Sequence, residues 1–125
     1  MMAANKVVRF GPVALTTTLT TNILNPPTLT GGVGVPGTTV NTYYILRHIR
    51  IINKTSAAAT FSLWIGATGG NVAGTEFAGI ATSVLANSSI DWFGYMPLDV
   101  ADFLVGGSPT ATALTFQAEG EIGIR

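Results

Sequence analysis

The hydrophobic pattern of the chain is clearest in the run Tyr43–Asn53. Alternate positions in this run form two sets, and both sets are mainly apolar, with Arg47, His48 and Arg50 interrupting them. Successive side chains of a strand point to opposite faces of a sheet. The run therefore predicts a central strand whose two faces are both covered, by a core and by either a second layer or a neighbouring subunit.

A second run, Ala58–Ile65, follows after the polar link Asn53–Ser56. It is also rich in aromatic and β-branched residues at a spacing of two, which favours a strand over a helix. The link contains the Asn, Thr and Ser typical of turns. Together the two runs predict a β-hairpin.

Shorter apolar runs, separated by Gly, Pro and Asn, continue along the rest of the chain. The alternation is cleanest in the last of them, where Leu114, Phe116 and Ala118 face one way and Glu119 and Glu121 the other. We expect seven or eight strands and no helix of ordinary length. Beyond the hairpin, the predicted strands are Lys6–Phe10, Val13–Leu24, Glu76–Ile80 (a strand or one helical turn), Ile90–Met96, Asp102–Val105 and Thr112–Ile124.

This spacing of strands predicts an all-β sandwich or barrel, including the jelly roll. Of these we expect a single-domain antiparallel β-sandwich that is jelly-roll-like. Residues 1–42 form an N-terminal β segment with an extended arm, and residues 43–125 form the sandwich core. The arm is the Pro/Gly-rich stretch Asn25–Val40, which no helix can cross. We expect it to lie across a neighbouring subunit, because long loops in compact domains are usually functional or disordered.

Charge is the most informative feature of the composition. Charged residues make up 10% of the 125 positions, against about 25% in ordinary soluble domains. A surface so poor in charge predicts extensive contact with other protein, although a neutral Thr/Ser-rich surface is the alternative. The formal net charge of zero argues against nucleic acid, and the absence of cysteine excludes disulfides and thiolate metal sites.

Membrane insertion and secretion are not expected from this sequence. No stretch approaches the ~18 unbroken apolar residues of a membrane span. The N-terminal residues lack the apolar centre of a signal peptide. We therefore expect a protein that is made and assembled in a cytoplasm.

Catalytic and metal-binding signals are weak. His48 is the only histidine, and no motif places a nucleophile beside it, so a structural histidine is the favoured interpretation. Asp91, Asp99 and Asp102 lack calcium-loop spacing, and turn-capping roles explain isolated aspartates. The loop Gly31–Gly37 has no phosphate-loop pattern. We predict no enzyme activity, no cofactor and no metal.

Large aromatic and basic side chains are the best candidates for packing and interfaces. Glu119 and Glu121 are expected to pair with Arg47 or Arg50, across strands or across a subunit boundary. A sugar-binding platform built from Tyr43, Tyr44, Trp64, Trp92, Phe93 and Tyr95 is the alternative use of the aromatics, but packing is the commoner role. The packing or interface candidates are Tyr43, Tyr44, Arg47, Arg50, Trp64, Trp92 and Phe93.

The chain from Phe10 onward resembles the small virion structural proteins of tailed bacteriophages. The resemblance is carried by YYILRHIRIINKT, AAATFSLWIGATGGNVAGTEF, ANSSIDWFGYMPLDVADFLVGG and ALTFQAEGEIGI. It implies a β-sandwich subunit that forms homo-oligomers, with trimers favoured, and that docks on a head or a tail. It carries over no functional residue.

This resemblance and the low charge together lead to one expected function. The chain is expected to be a non-enzymatic capsid decoration (cement, or minor capsid) protein, located in the virion, that stabilises the head by binding the major capsid protein lattice. A minor tail protein with the same fold is one alternative. A carbohydrate-binding module that touches the host surface is another, and a small hydrolase fits least well.

Overall fold

The computed structural model describes residues 5–25, 42–99 and 101–124. Within these ranges the chain forms eight β-strands and no helix. The strands are β1 (Lys6–Ala14), β2 (Asn22–Leu24), β3 (Thr42–Asn53), β4 (Ala59–Gly66), β5 (Thr82–Val84), β6 (Ser89–Leu98), β7 (Phe103–Gly107) and β8 (Leu114–Ile124).

The strands form two antiparallel four-stranded sheets that pack face to face as a β-sandwich. Sheet 1 has the order β1-β8-β3-β6, and sheet 2 has the order β2-β7-β4-β5. Consecutive strands alternate between the sheets, except β4 and β5, which are neighbours in sheet 2. The all-β sandwich predicted from the sequence is confirmed.

The hydrophobic core lies between the two sheets, where alternate side chains of each strand point inward. Sheet 1 contributes Phe116 and Ile49 and sheet 2 contributes Leu63, all three almost fully buried. Three core residues, Leu15, Phe77 and Ala113, come from loops rather than from strands. The remaining core residues are Phe10, Leu46, Ile51, Ala59, Phe61, Val84, Leu98, Leu104, Leu114 and Ala118.

Strand β3 occupies the centre of sheet 1 between β8 and β6, as its sequence predicts, but its alternation changes at Arg47. Its pairing with both neighbours shifts register between Leu46 and His48, which is a β-bulge. Even-numbered side chains such as Leu46 point into the core before the bulge, and odd-numbered ones such as Ile49 and Ile51 do so after it. Both sets of β3 positions are apolar chiefly for this reason.

Gly120 of β8 allows the bulge to form. It lies opposite Leu46, and a Cβ atom at this position would overlap the main-chain carbonyl of Ile45. The main chains of β3 and β8 therefore approach each other more closely at this point than any side chain permits.

The predicted hairpin of the runs Tyr43–Asn53 and Ala58–Ile65 is wrong. Strand β3 pairs with β6 and β8, whereas β4 pairs with β5 and β7 in the other sheet. The link between them carries the chain across the core rather than back along the same sheet. Turn-forming residues suit both kinds of connection, so the local sequence does not distinguish them.

The N-terminal prediction also needs correction. Strand β1 continues through Gly11 and Pro12, with a cis peptide bond and a register shift between Phe10 and Val13. In the predicted segment Val13–Leu24, only β2 and the end of β1 are strand, and residues 15–21 form a loop. The arm Asn25–Val40 lies outside the described residues from Pro26 onward, so its role remains a prediction.

Three later boundaries differ as well. Glu76–Ile80 is irregular, with one isolated bridge from Glu76 to Trp64 in place of a strand. Strand β6 extends past its predicted end through Pro97, which an edge strand tolerates because it lacks a partner on one side. Strand β7 runs through Gly106 and Gly107, where a turn was expected.

The fold predicts a large cost for Phe116→Ala. The Phe116 side chain is fully buried between the sheets, and removing a buried phenyl ring typically costs about 3–5 kcal/mol. The exposed Val7 on β1 provides the control, because Val7→Ala should change stability by less than about 0.5 kcal/mol. Urea unfolding measures both values, and similar midpoints for the two variants would contradict this placement of the core.

Candidate functional site

The outer face of sheet 1, which points away from the core, carries much of the charge of the chain. Six of the twelve charged residues and the only histidine lie on it. These charged side chains belong to four neighbouring strands, so register brings them together although they are far apart in sequence. The six are Arg9, Arg47, Arg50, Asp91, Glu119 and Glu121.

The first group on this face is an acid–base–aromatic triplet, Glu121–Arg47–Tyr95, that runs across β8, β3 and β6. Arg47 Nη1 donates to Glu121 Oε2 at 2.9 Å. The guanidinium carbon of Arg47 lies 5.7 Å from the centre of the Tyr95 ring, within range of a cation–π contact. The predicted pairing of Glu121 with an arginine is confirmed, whereas Glu119 contacts His48 and not an arginine.

A second triplet, Glu119–His48–Phe93, lies beside the first in the same strand order. His48 Nδ1 is 3.0 Å from Glu119 Oε1. The imidazole stacks on the Phe93 ring with their centres 4.5 Å apart and their planes 11° from parallel. His48 is therefore a packed, hydrogen-bonded side chain, as the structural interpretation of this residue predicts.

Asp91 links the second triplet to Arg50. Its Oδ1 atom lies 2.7 Å from His48 Nε2 and accepts a hydrogen bond from Arg50 Nε at 2.8 Å. The Arg50 hydrogen bond, followed by that of His48, lowers the pKa of the Asp91 carboxyl below the ordinary aspartate value. Both ring nitrogens of His48 face carboxylate oxygens, so both contacts are hydrogen bonds only when each nitrogen carries a hydrogen.

The groups on this face are suited to binding a ligand. The hydrogen bonds of His48 within the described residues go to two carboxylates and not to a hydroxyl nucleophile. Phe93 and Tyr95 remain 74% and 62% exposed beside the paired charges. Exposed rings can stack on a ligand, and the paired charges provide donors and acceptors in fixed positions.

The other aromatic candidates do not gather on this face as one platform. Trp64 is buried on sheet 2. Trp92 packs against the core, with its ring edge-on to Phe77 at 5.0 Å between centres. Tyr44 also packs against the core, where burial raises its pKa. Tyr43 donates a hydrogen bond from its hydroxyl to Asn5 Oδ1 at 3.0 Å.

Two further polar positions have structural roles. The main-chain N–H of Asp99 donates to Asp102 Oδ2 at 2.9 Å, and that of Asp102 donates to the Asp99 carbonyl at 3.0 Å, which is turn capping. Asn53 is buried, and its amide nitrogen donates to the carbonyls of Ala57 and Val84. Its position in a glycosylation sequon, Asn53-Lys54-Thr55, is therefore coincidental.

The two triplets could not be found from the sequence. Alternation indicated that Glu119 and Glu121 pair with the arginines, but it did not place Phe93, Tyr95 or Asp91 beside them. Alternation alone cannot supply these neighbours, because the register of β6 against β3 and the bulge at Arg47 set them. The cluster of basic residues in the middle of an apolar strand was the one available signal.

Two kinds of site find no basis within the described residues. Among them there is no group of three or more His, Cys, Asp or Glu side chains arranged to hold a metal ion. The same residues contain no helix of the length and apolar character that crossing a membrane requires.

The ion pairs of this face predict how stability depends on pH. The pKa of Asp91 is lowered in the folded chain, so its contribution to stability is present above the ordinary aspartate pKa and is lost as the pH falls through the lowered value. Below about pH 4, the wild-type chain should therefore lose stability more steeply than Asp91→Asn. Urea unfolding between pH 2 and pH 7 measures this slope.

Arg50→Met tests the cause of the shift. Arg50 makes the largest contribution to the lowered Asp91 pKa, so this variant should also flatten the acid slope. Equal slopes for the wild type and both variants would show that these contacts do not hold the carboxylate in its charged form.

Comparison with protein-family models and with curated proteins identifies no relative of this chain. No protein-family model matches the chain. No curated protein matches it significantly. The function must therefore be argued from the surface of the chain itself.

Proposed function

We propose that this chain is a non-enzymatic structural subunit of a tailed-bacteriophage virion. Among such structural roles, we favour that of a capsid decoration protein, which binds the major capsid protein lattice as a homo-oligomer and stabilises the head. The supporting observation is that, among the residues the structure describes, seven large apolar side chains are exposed, on a chain with few charges. They are Val7, Val13, Val72, Ile80, Leu85, Phe93 and Tyr95.

Most of the charged side chains that the structure describes have a partner within the chain. Arg47, Arg50, Asp91, Glu119 and Glu121 are paired with one another or with His48. The carboxylates of Glu76 and Asp102 accept main-chain N–H groups within turns. Most of the described charge thus forms internal contacts, which leaves a largely neutral exterior suited to close contact with other subunits.

The apolar side chains around β5 are the best candidates for a protein contact. Ile80 and Leu85, which we call the β5 segment, flank this short strand and are 46% and 68% exposed. Exposed apolar groups of this size mark interaction sites when they occur together. Full burial of one such side chain is worth about 1.5–3 kcal/mol, from which the cost of association must be subtracted.

The order of the strands supports a jelly roll. Eight strands in two sheets, with successive strands other than β4 and β5 crossing from one sheet to the other, are compatible with the two Greek keys of a jelly roll. Viral capsid domains are among the proteins that use this architecture. The fold fits a minor tail protein equally well, so the position of the subunit in the particle needs a direct test.

A carbohydrate-binding module remains the second candidate function. The specific observation that favours it is the exposed pair Phe93 and Tyr95 on the outer face of sheet 1, beside fixed hydrogen-bonding groups. Aromatic rings in such a setting can stack on sugar rings. This candidate uses a different surface from the β5 segment, so one chain can carry both functions.

Self-association of the purified chain is the first test of the proposal. Light scattering after size-exclusion chromatography should give a multiple of the chain mass at micromolar concentration, with three chains as the favoured number. Leu85→Ser should shift the protein toward the monomer, because it removes an exposed apolar contact. Thr110→Ser, a matched change at another exposed position, should not.

A wild-type chain that stays monomeric at micromolar concentration would argue against a shared surface. Gold-labelled antibody on purified particles of the virus that encodes the chain then distinguishes head from tail. Label distributed over the head supports decoration, label on the tail supports the tail alternative, and unlabelled particles would overturn the virion role.

A further inference from the structure

A shallow, open pocket of about 430 Å³ lies on the outer face of sheet 1, at the end where β3 finishes and β6 begins. Two of its lining residues, Arg50 and Lys54, are basic, and none is acidic. The others are apolar or carry hydroxyl and amide groups. The complete lining is Arg50, Ile52, Asn53, Lys54, Asn87, Ser88 and Ser89.

Both basic side chains have N–H groups that donate no hydrogen bond within the described residues. Arg50 uses its Nε atom to bond Asp91, and its two terminal nitrogens make no hydrogen bond within the described residues. Lys54 is exposed and makes no hydrogen bond or ion pair among the same residues. Ser89 adds a hydroxyl group at the same place, whereas the Ser88 hydroxyl donates to the Ala86 carbonyl at 3.2 Å. This set of donors suits an anionic group such as a carboxylate, sulfate or phosphate.

The pocket is built on a braced framework rather than on loose loops. The main-chain N–H of Asn53 donates to the Ser88 carbonyl at 2.8 Å, and that of Asn87 donates to the Thr55 carbonyl at 3.0 Å. The buried Asn53 amide adds bonds to Ala57 and Thr55 that hold its loop in place. A ligand would therefore meet an organised site and lose little affinity to ordering it.

The exposed aromatic pair lies on the same strands as the pocket. Phe93 and Ser89 are four residues apart on β6, which corresponds to roughly 13 Å along a strand. One face of the Phe93 ring is covered by His48, so the opposite face is the one available for stacking. Paired donors and acceptors of Asp91 and Arg50 lie between the ring and the pocket.

We propose that the outer face of β3 and β6 binds an oligosaccharide that carries an anionic substituent. A sugar ring stacks on Phe93 or Tyr95, the paired charges bond its hydroxyls, and the substituent occupies the pocket of Arg50 and Lys54. Hydroxyl groups both donate and accept hydrogen bonds, which matches the mixed lining between the two ends. The separation of the two ends requires more than one sugar unit.

This proposal goes beyond the structural role and does not depend on it, because the β5 segment takes no part in the site. Three probes distinguish the chemistry by isothermal titration calorimetry at low salt: oligogalacturonides with carboxylates, heparin-derived oligosaccharides with sulfates, and neutral malto-oligosaccharides. At least one acidic probe should bind ten or more times more tightly than the neutral one. Its affinity should fall as salt is raised.

Two variants test the two ends of the site. Phe93→Ala and Lys54→Gln should each weaken the acidic probe tenfold or more, and only Phe93→Ala should weaken any residual binding of the neutral probe. Thr110→Ala, a change at an exposed position outside both surfaces, should leave the affinity unchanged. Circular dichroism and thermal unfolding confirm that each variant is folded.

Three outcomes would overturn the proposal. The first is the absence of binding to all three probes at millimolar concentration. The second is equal affinity for acidic and neutral sugars. The third is binding of polyglutamate as tight as that of the best sugar with the same loss in Phe93→Ala, which would assign the face to an acidic peptide.

Discussion

A single β-bulge at Arg47 decides which side chains of β3 reach the core and which reach the surface. Leu46 points into the core before the bulge and Ile49 does so after it, so β3 contributes side chains to the core on both sides of the bulge. The bulge also leaves two consecutive residues, Arg47 and His48, on the outer face. Gly120 makes this possible, because any larger residue would overlap the main chain of β3.

The two neighbouring triplets on the outer face follow from that bulge. Arg47 and His48 each lie between a glutamate of β8 and an aromatic ring of β6. The ion pairs hold these side chains in fixed positions. The rest of the exterior carries little charge. Two groups among the exposed apolar side chains lie on different sheets. Phe93 and Tyr95 stand beside the ion pairs of sheet 1, whereas the β5 segment adjoins a strand of sheet 2.

Much of the fold could be predicted from the sequence. Turn residues at regular spacing and β-rich runs between them indicated an all-β sandwich, and the alternation of β8 assigned Leu114 and Phe116 to the core correctly. Strand partners could not be predicted in the same way. The residues of Asn53–Ser56 are compatible with both a hairpin turn and a crossing between sheets. Only the long-range partners of the two strands, β8 for β3 and β7 for β4, distinguish these possibilities.

The candidate site was harder to predict than the fold. Its groups come from β3, β6 and β8, and an error of one residue in register would place each on the wrong face. Arg47, Arg50 and Phe93 were identified as interface candidates, but neither their partners nor the pocket beside Lys54 could be found from spacing alone. Both depend on the bulge and on bonds between loops distant in sequence.

The central claim is that the chain acts through two separate surfaces, with the β5 segment covered by protein and the outer face of sheet 1 open. Hydroxyl-radical footprinting of the purified wild-type protein across a dilution series tests it most directly. Oxidation of Leu85 should rise as the protein is diluted, because dilution uncovers it, while oxidation of Phe93 should stay constant. Constant oxidation at both positions, or protection of Phe93 alone at high concentration, would contradict the account.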